Sequence, residues 1–450
     1  MAGPKAPRER AVWGGRTGLI LATVGAAVGL GNIWRFAYVA GENGGGAFLL
    51  VYIACVVLIG LPLLIAELAL GRAGHADAPA TFTALAPGGQ WHLVGLLGVA
   101  GSAVILSYYG VIAGWALRYL AGAVDGTLWD LAAEGYGGFF AAFIAHPYAP
   151  LFWQVAMMVL AVLVVAGGIG AGIERANRVL MPVLALAVAA LAVWSSTLPG
   201  AAAGYAFLFA PDWSALAEPR LYLAAIGQAF FSIGLGMAVF ITYGSYMGRR
   251  ESVGIVAMAT VAGDTLIALL AGIAIFGAVF AYGMDPTSGP PLAFITLPQI
   301  FLGVPFGRIA ATLFFALLVA GALTSMMALL EVVVSWLERV TPLSRRGATW
   351  LAGAAIAVLG VPSSLGYGPL SVLAWRGRGV LDSVDFTVSG LLLPLGGLLL
   401  AVFVGWRWPC REALAATGLR GAGAELWRLA VRYLSPAVIL LVLATGLLAI

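Results

Sequence analysis

The chain has 450 residues, of which 62% are hydrophobic and only 9% are charged, and its mean hydropathy is +1.02. This composition excludes a soluble globular protein, in which about a quarter of the residues are charged. The net charge is +4, but too little polar sequence remains for a basic soluble face, so we also expect no nucleic-acid partner.

Apolar segments long enough to cross a bilayer, about 20 residues each, recur along the whole chain. We count eleven, with approximate bounds 15–40, 47–71, 93–121, 151–170, 178–197, 221–246, 253–283, 306–338, 348–366, 386–408 and 428–450. The first segment lacks a signal-peptide cleavage site, so we expect it to remain a membrane helix. The sequence therefore predicts a single all-α, polytopic membrane domain over 1–450, with residues 1–14 as a cytoplasmic N-terminal segment.

The basic residues of the loops predict the orientation. With the N-terminus inside, most of them fall on the inner side, and the outer segments carry only Arg118, Arg220, Arg308, Arg376 and Arg378. Cytoplasmic loops of membrane proteins are enriched in lysine and arginine. Eleven spans then place the C-terminus outside the cytoplasm.

Span one contains an unusual stretch, Gly25-Ala-Ala-Val-Gly-Leu-Gly-Asn32. Each glycine costs a helix interior about 1 kcal/mol, and a polar side chain in lipid is expensive. Span six repeats its core, because Val28-Gly-Leu-Gly31 corresponds to Ile233-Gly-Leu-Gly236. The two spans are five apart, so they run in opposite directions across the membrane.

Glycine-interrupted spans at matching positions of two halves indicate an inverted-repeat transporter. We expect a first repeat over 15–197, a second over 221–408 and an eleventh helix over 428–450 outside them. The broken helices would free backbone N–H and C=O groups at mid-membrane, which is tolerable only along a protein cavity. Close packing of neighbouring helices is the alternative explanation for a single Gly-Leu-Gly.

Motifs along the whole chain resemble those of one family. In chain order they are WGGRTGLILATVGAAVGLGNIWRF, GENGGGAFLLVY, GLPLLIAELALGR, SYYGVIAGW, GQAFFSIGLGM, DTLIALLAGIAIF, FITLPQIF, ALTS, DSVDF and RYLSPA. Together they are similar to the neurotransmitter:sodium symporters, whose bacterial members are amino-acid transporters with the leucine-transporter fold. The resemblance implies a transporter rather than an enzyme, located in the bacterial plasma membrane as a monomer or loose dimer.

The resemblance implies two Na⁺ sites built from oxygen ligands, which hard cations prefer. The substrate carboxylate would complete the first site, whose protein ligands would be Ala27, Asn32, Ser232 and Asp264. The second site would combine three backbone carbonyls with two hydroxyls, from Gly25, Val28, Gly321, Thr324 and Ser325. Without the resemblance, we would expect both hydroxyls to bond back to their own helix.

The resemblance also implies a site for an amino acid between the broken spans. Its carboxylate would accept hydrogen bonds from the backbone around Leu30 and Gly31 and from the Tyr109 hydroxyl. Its amino group would meet carbonyls near Ala27 and Phe231. The remaining substrate-binding residues would be Ile105, Ser232, Gly234, Met237, Ser325 and Leu329.

Asp264 departs from the commonest pattern of the family. Many members have asparagine here and need chloride, or carry a glutamate one turn later, where this chain has Ala268. Two Na⁺ balanced by the substrate carboxylate and Asp264 leave little net charge in a low-dielectric site. We therefore expect no chloride requirement. After sodium release, a buried unpaired carboxylate should take up a proton, so proton antiport is a further expectation.

Charged and aromatic residues near the span ends match the gates of the family. Arg35 and Asp385 would form an ion pair above the substrate, with Phe231 as a lid beneath it. The alternative is that they are solvated charges at helix ends. Glu67, deep in span two, is expected to brace the broken first helix through its backbone N–H groups.

On the inner side, Arg10 and Trp13 match the latch of the family, with Tyr246 nearby. In the family, an acidic residue completes this latch, and its position corresponds to Arg339 in this chain. We therefore expect the adjacent Glu338 to be the acidic partner in the latch.

The pocket residues suggest a hydrophobic or aromatic L-amino acid, such as leucine, phenylalanine, tyrosine or tryptophan. Gly234 enlarges the pocket and Met237 can adapt its shape. No acidic residue stands near Ala27 to replace a missing carboxylate, so the substrate should carry its own. A sodium-dependent sensor or channel-like protein on the same fold is the alternative function.

Overall fold

The computed structural model describes residues 12–131, 135–248, 250–287, 290–374 and 377–448. Arg10, predicted as part of the inner latch, lies outside these residues. Within them the structure is built from helices, and the only β-type pairing is an isolated bridge between Gly45 and Pro211. The predicted all-α class is therefore confirmed.

Nine helices of the described residues are long and apolar enough to cross a membrane. In chain order, spans two to five and seven to eleven are Gly46–Gly74, His92–Asp125, Ala149–Ala166, Ile169–Ser196, Val253–Ala281, Gly307–Val340, Arg345–Leu365, Val380–Arg407 and Gly421–Ala444. Span one is a bent pair, Arg16–Ala27 and Gly31–Glu42, whose halves meet at 50°. Span six consists of two helices, Pro219–Ile233 and Val239–Gly244. Each is too short to be counted as a membrane-crossing helix by itself. Eleven spans therefore remain a prediction.

The predicted bounds of the straight spans agree within about four residues except at three starts and at the end of span eleven, which lies at Ala444 rather than at 450. Spans five, ten and eleven begin at 169, 380 and 421 rather than at 178, 386 and 428. Their first turns contain glycines and charged residues, which lower the local hydropathy without ending the helix.

Shorter helices connect the spans on both sides. They are Ala78–Leu85, Gly135–Ala145, Ala201–Phe209, Thr296–Gly303 and Cys410–Thr417. Spans three and eight lie at the centre of the molecule, since 72% of each apolar window is buried, whereas span eleven is peripheral with 33% buried.

Both Gly-Leu-Gly segments coincide with a break in their helix. In span one the first half ends at Ala27 because Val28 is extended, with φ −72° and ψ 113°. In span six Gly234 and Gly236 have φ of 81° and 80°, a left-handed conformation that glycine adopts without strain.

The glycines of span one have a different role, because none of them has a positive φ. They allow close approach. A Cβ at Gly29 would lie 2.3 Å from Ser325 Oγ and 2.6 Å from Tyr109 Oη, and a Cβ at Gly31 would lie 3.1 Å from the Phe231 ring. The Gly-Leu-Gly core thus permits a left-handed backbone in span six and close packing of neighbouring side chains in span one.

The prediction that Glu67 braces span one is wrong, because its hydrogen bond goes to span six. The Gly236 backbone N–H donates to Glu67 Oε1 at 2.8 Å, so this buried carboxylate supports the break of span six. Span two lies directly along the second half of span six. A Cβ at Gly71 would lie 1.9 Å from the Ile241 carbonyl oxygen, so the N–H groups within reach of Glu67 belong to span six.

Replacing Gly236 by alanine should destabilise the fold by about 2 kcal/mol, since a left-handed residue with a Cβ costs about 1–2 kcal/mol. The new Cβ would also lie 2.7 Å from the Leu393 carbonyl oxygen. Thermal unfolding of the purified protein measures the effect. Gly227→Ala is the matched control, because a Cβ there meets nothing within 4 Å. Equal melting temperatures for the two variants would contradict the argument.

Candidate functional site

A cavity of about 40 Å³ lies between the two broken helices. Its lining consists of Ala26, Ala27, Gly29, Gly31, Ile105, Tyr109, Phe231, Ser232, Gly234, Met237, Val239, Ser325, Ala328 and Leu329. These include all the predicted substrate residues except Leu30. Sequence reasoning missed Ala26, Gly29, Val239 and Ala328, of which Ala26 and Gly29 stood in the unusual stretch of span one.

Tyr109 of span three reaches into the break of span one. Its hydroxyl accepts a hydrogen bond of 2.9 Å from the Leu30 backbone N–H. Because that oxygen acts as acceptor there, its own proton can be donated to a ligand in the cavity. Leu30 therefore contributes through Tyr109 although its side chain does not line the cavity. The other walls are mainly apolar, which suits a ligand with one polar end and an apolar body.

The side chains predicted for the first sodium site lie together beside this cavity, fully buried. Asn32 Nδ2 donates to Asp264 Oδ1 at 2.6 Å and to Ser232 Oγ at 2.9 Å. Ser232 Oγ donates to Asp264 Oδ2 at 3.0 Å, and the Tyr52 hydroxyl lies 3.4 Å from that same oxygen.

Asp264 has no basic partner among the ion pairs of the described residues. A carboxylate that is buried in this way needs a compensating positive charge. The cluster is rich in oxygen and carries a negative charge, which are the properties that a hard cation requires.

The hydroxyls predicted for the second sodium site bridge spans eight and one. Thr324 Oγ1 donates to the Val28 carbonyl at 3.2 Å and to the Gly321 carbonyl at 2.9 Å. Ser325 Oγ lies 3.5 Å from the Val28 carbonyl. Thr324 thus bonds back to its own helix and also reaches the break of span one. The Cα of Gly25 faces span five, where a Cβ would lie 2.0 Å from Asn177 Oδ1.

Arg35 and Asp385 do not form a direct ion pair in this structure. Arg35 Nη1 donates to Gln228 Oε1 at 3.2 Å, and the guanidinium lies 4.5 Å from the centre of the Phe231 ring. Asp385 Oδ1 accepts from the Tyr108 hydroxyl at 2.9 Å. Each charge therefore bonds to a neutral partner, and Arg35 Nε is buried without a hydrogen-bond partner.

Sequence reasoning left Gln228 and Tyr108 out of the outer gate. Gln228 Nε2 also donates to the Gly31 carbonyl at 2.8 Å, which ties the Arg35 side chain to the break of span one. The only signal for Tyr108 was its position next to Tyr109.

On the inner side, Trp13 docks onto the end of span six. Its Nε1 donates to the Tyr243 carbonyl at 3.1 Å, and its backbone N–H donates to the Tyr246 carbonyl at 3.2 Å. The Trp13 side chain is only 6% exposed. The structure thus brings Trp13 and Tyr246 together, as predicted for the latch.

Glu331, a fully buried acid in span eight, was missed from the sequence. It accepts a hydrogen bond of 2.6 Å from the Tyr246 hydroxyl and pairs with Arg345 at 2.5 Å. Glu338 also contacts Arg345, at 3.2 Å, and Arg339 pairs with Asp77. An acid in the middle of an apolar span was the available signal, since intramembrane acids are functional by default.

Replacing Glu331 by glutamine should destabilise the protein by about 3–5 kcal/mol, because it leaves the Arg345 guanidinium without its buried partner. The measurement is again thermal unfolding. Glu425→Gln is the control, because that residue pairs with Arg428 on the surface with 60% of its side chain exposed. A Glu331→Gln protein as stable as the control would show that the buried pair contributes nothing.

The chain is similar to known proteins over nearly its whole length. A model of the sodium:neurotransmitter symporter family matches residues 10–136 and 146–450. The uncharacterized sodium-dependent transporter YhdH of Bacillus subtilis is 38% identical over 434 residues, which are 96% of each chain. An uncharacterized sodium-dependent transporter of Haemophilus influenzae is 31% identical over 453 residues, covering 98% of this chain and 99% of that protein.

A solved structure matches as well. The crystal structure of MhsT in complex with L-phenylalanine has a TM-score of 0.92 and 49% identity, covering 97% of this chain and 100% of that one. This match confirms the expected leucine-transporter fold.

Proposed function

The chain belongs to the sodium:neurotransmitter symporter family, and from this premise we propose that it imports a hydrophobic or aromatic L-amino acid together with Na⁺. The observation that carries the proposal is the buried Asp264 cluster beside an apolar cavity. Ser232 lines the cavity and also bonds to Asp264, so a cation at the cluster and a ligand in the cavity would be neighbours.

The polar end of the cavity suits the carboxylate of an amino acid. Tyr109 has a proton to donate there, and Gly31 lies beside it in the lining. We assign the first Na⁺ to Ala27, Asn32, Ser232 and Asp264, and the second to Gly25, Val28, Gly321, Thr324 and Ser325. In the first site the substrate carboxylate would itself be a ligand, so that the binding of the ion and of the amino acid would be coupled.

The apolar end has walls that can adapt to a large side chain. Gly234, with a φ of 81°, leaves its side of the cavity open, and Met237 and Leu329 supply flexible walls. The similar MhsT chain was crystallised with L-phenylalanine, which supports an aromatic or large aliphatic substrate for this chain too.

The proposal includes alternating access of the two repeats around this cavity. It keeps the orientation predicted from the basic residues, with the N-terminus in the cytoplasm of a bacterium and the C-terminus outside. In this orientation the Trp13 contact closes the cytoplasmic side, and Arg35 above Phe231 lies on the outer side.

Proteoliposomes with an inward Na⁺ gradient should take up a radiolabelled large apolar amino acid, because the ion gradient supplies the driving force. Unlabelled leucine, phenylalanine, tyrosine and tryptophan should compete best, whereas glycine and proline should compete weakly. The control is an equal K⁺ gradient. Equal uptake in K⁺ would exclude sodium coupling, and no uptake of any amino acid would favour a sensor on the same fold.

We also propose that transport needs no chloride, because Asp264 supplies the negative charge itself. Replacing chloride by gluconate should leave wild-type uptake unchanged. Asp264→Asn should lose uptake in gluconate and recover part of it in chloride, since an anion can then replace the carboxylate. Asp125→Asn, at an exposed carboxylate at the end of span three, is the control. Wild-type uptake that vanished in gluconate would refute chloride independence.

The same carboxylate carries the proposed proton antiport. Once both Na⁺ ions have left, protonation of Asp264 lets the empty transporter return to its starting conformation without an uncompensated buried charge. Raising the internal pH should therefore slow wild-type uptake and leave the residual uptake of Asp264→Asn unchanged. Wild-type uptake that is insensitive to internal pH would exclude the antiport.

A further inference from the structure

One face of span five carries a polar side chain that the proposed function does not use. Asn177 is fully buried, and its Nδ2 donates to the Ile173 carbonyl of its own helix at 2.9 Å. Its Oδ1 is buried without a hydrogen-bond partner. Such orphaned acceptors are uncommon inside proteins and call for an explanation.

The bond to Ile173 turns this oxygen toward the first half of span one. There it faces Gly25, where a Cβ would lie 2.0 Å from Asn177 Oδ1 and 3.1 Å from Met181 Sδ. Neither the glycine Cα nor a thioether is a hydrogen-bond donor of ordinary strength. The oxygen is therefore directed at a place that offers it no N–H or O–H group.

That place adjoins the second proposed Na⁺ site, because Gly25 is itself one of the residues assigned to it, and Asn177 lies on the side of the site toward the first residues of span five. Leu184 of span five comes within 3.5 Å of a Cβ built at Gly321, which is part of the site. Asn177 is seven residues earlier, or about 10 Å along the helix. Three residues earlier still, Glu174 accepts a 2.8 Å hydrogen bond from the Gly14 backbone N–H.

We propose that Asn177 Oδ1 is a transit ligand for the Na⁺ that leaves the second site toward the cytoplasm. The inference rests on the proposed function and adds a residue to the path of the ion. An amide oxygen is a suitable ligand for a hard cation. Because it is neutral, it can stabilise a passing ion without holding it as a carboxylate would. The alternative is that Asn177 has a purely structural role, in which its Oδ1 accepts a Cα–H···O contact from Gly25.

The test compares Asn177→Leu, which removes the oxygen, with Asn177→Asp, which adds a charge. Met181→Leu is the matched control, because Met181 lies one turn later against the same glycine and offers no oxygen. Two assays in proteoliposomes separate the roles. Net uptake with a sodium-free interior requires Na⁺ to be released inside, whereas amino-acid exchange with high Na⁺ on both sides does not.

We expect Asn177→Leu to slow net uptake about fivefold, the value of one modest polar contact, with exchange and melting temperature unchanged. Asn177→Asp should make net uptake more sensitive to internal Na⁺, because the carboxylate retains the ion. Met181→Leu should behave as wild type in both assays.

Two results would overturn the inference. One is net uptake by Asn177→Leu equal to that of the control, and the other is an equal loss of net uptake, exchange and stability, which indicates packing alone. Wild-type protein that shows no sodium-driven uptake at all would instead refute the proposed function, and this inference with it.

Discussion

The structure depends on one constraint, which is that backbone polar groups freed inside a membrane must find partners within the protein. Two helices break in the middle of their spans, and side chains from other spans meet the groups that they free. Tyr109 accepts from the Leu30 N–H, Glu67 accepts from the Gly236 N–H, and Thr324 reaches a carbonyl of span one. The breaks are therefore held in place by their neighbours, and the cavity between them has a defined shape.

The buried acids of the core show how charge is distributed around that cavity. Glu331 is neutralised by Arg345, and Glu67 is bonded to a backbone N–H group. Asp264 meets only neutral donors, from Asn32 and Ser232. An uncompensated carboxylate beside a ligand cavity is expensive unless a cation joins it. Glu67 also meets a neutral donor, but that donor belongs to a helix break, whereas Asp264 lies beside the cavity with the oxygens of Ser232 and Tyr52 around it, which makes its cluster the candidate ion site.

The two sides of the cavity are covered by different chemistry. On the inner side an indole is buried against span six, and an ion pair lies directly behind it. On the outer side a guanidinium lies over the Phe231 ring and bonds to a neutral amide.

The sequence by itself determined the membrane class, most of the spans and the two breaks. These follow from hydropathy and from polar or glycine residues at positions where lipid would exclude them. Ten of the fourteen residues that line the cavity were implied by the family resemblance. Only the tertiary structure decided that Glu67 supports span six, that Arg35 bonds to Gln228 and that Tyr246 meets Glu331. Helical periodicity tells which face a side chain occupies, but its partner comes from a helix distant in the sequence. The choice between neutral and charged partners is therefore made by how the helices pack.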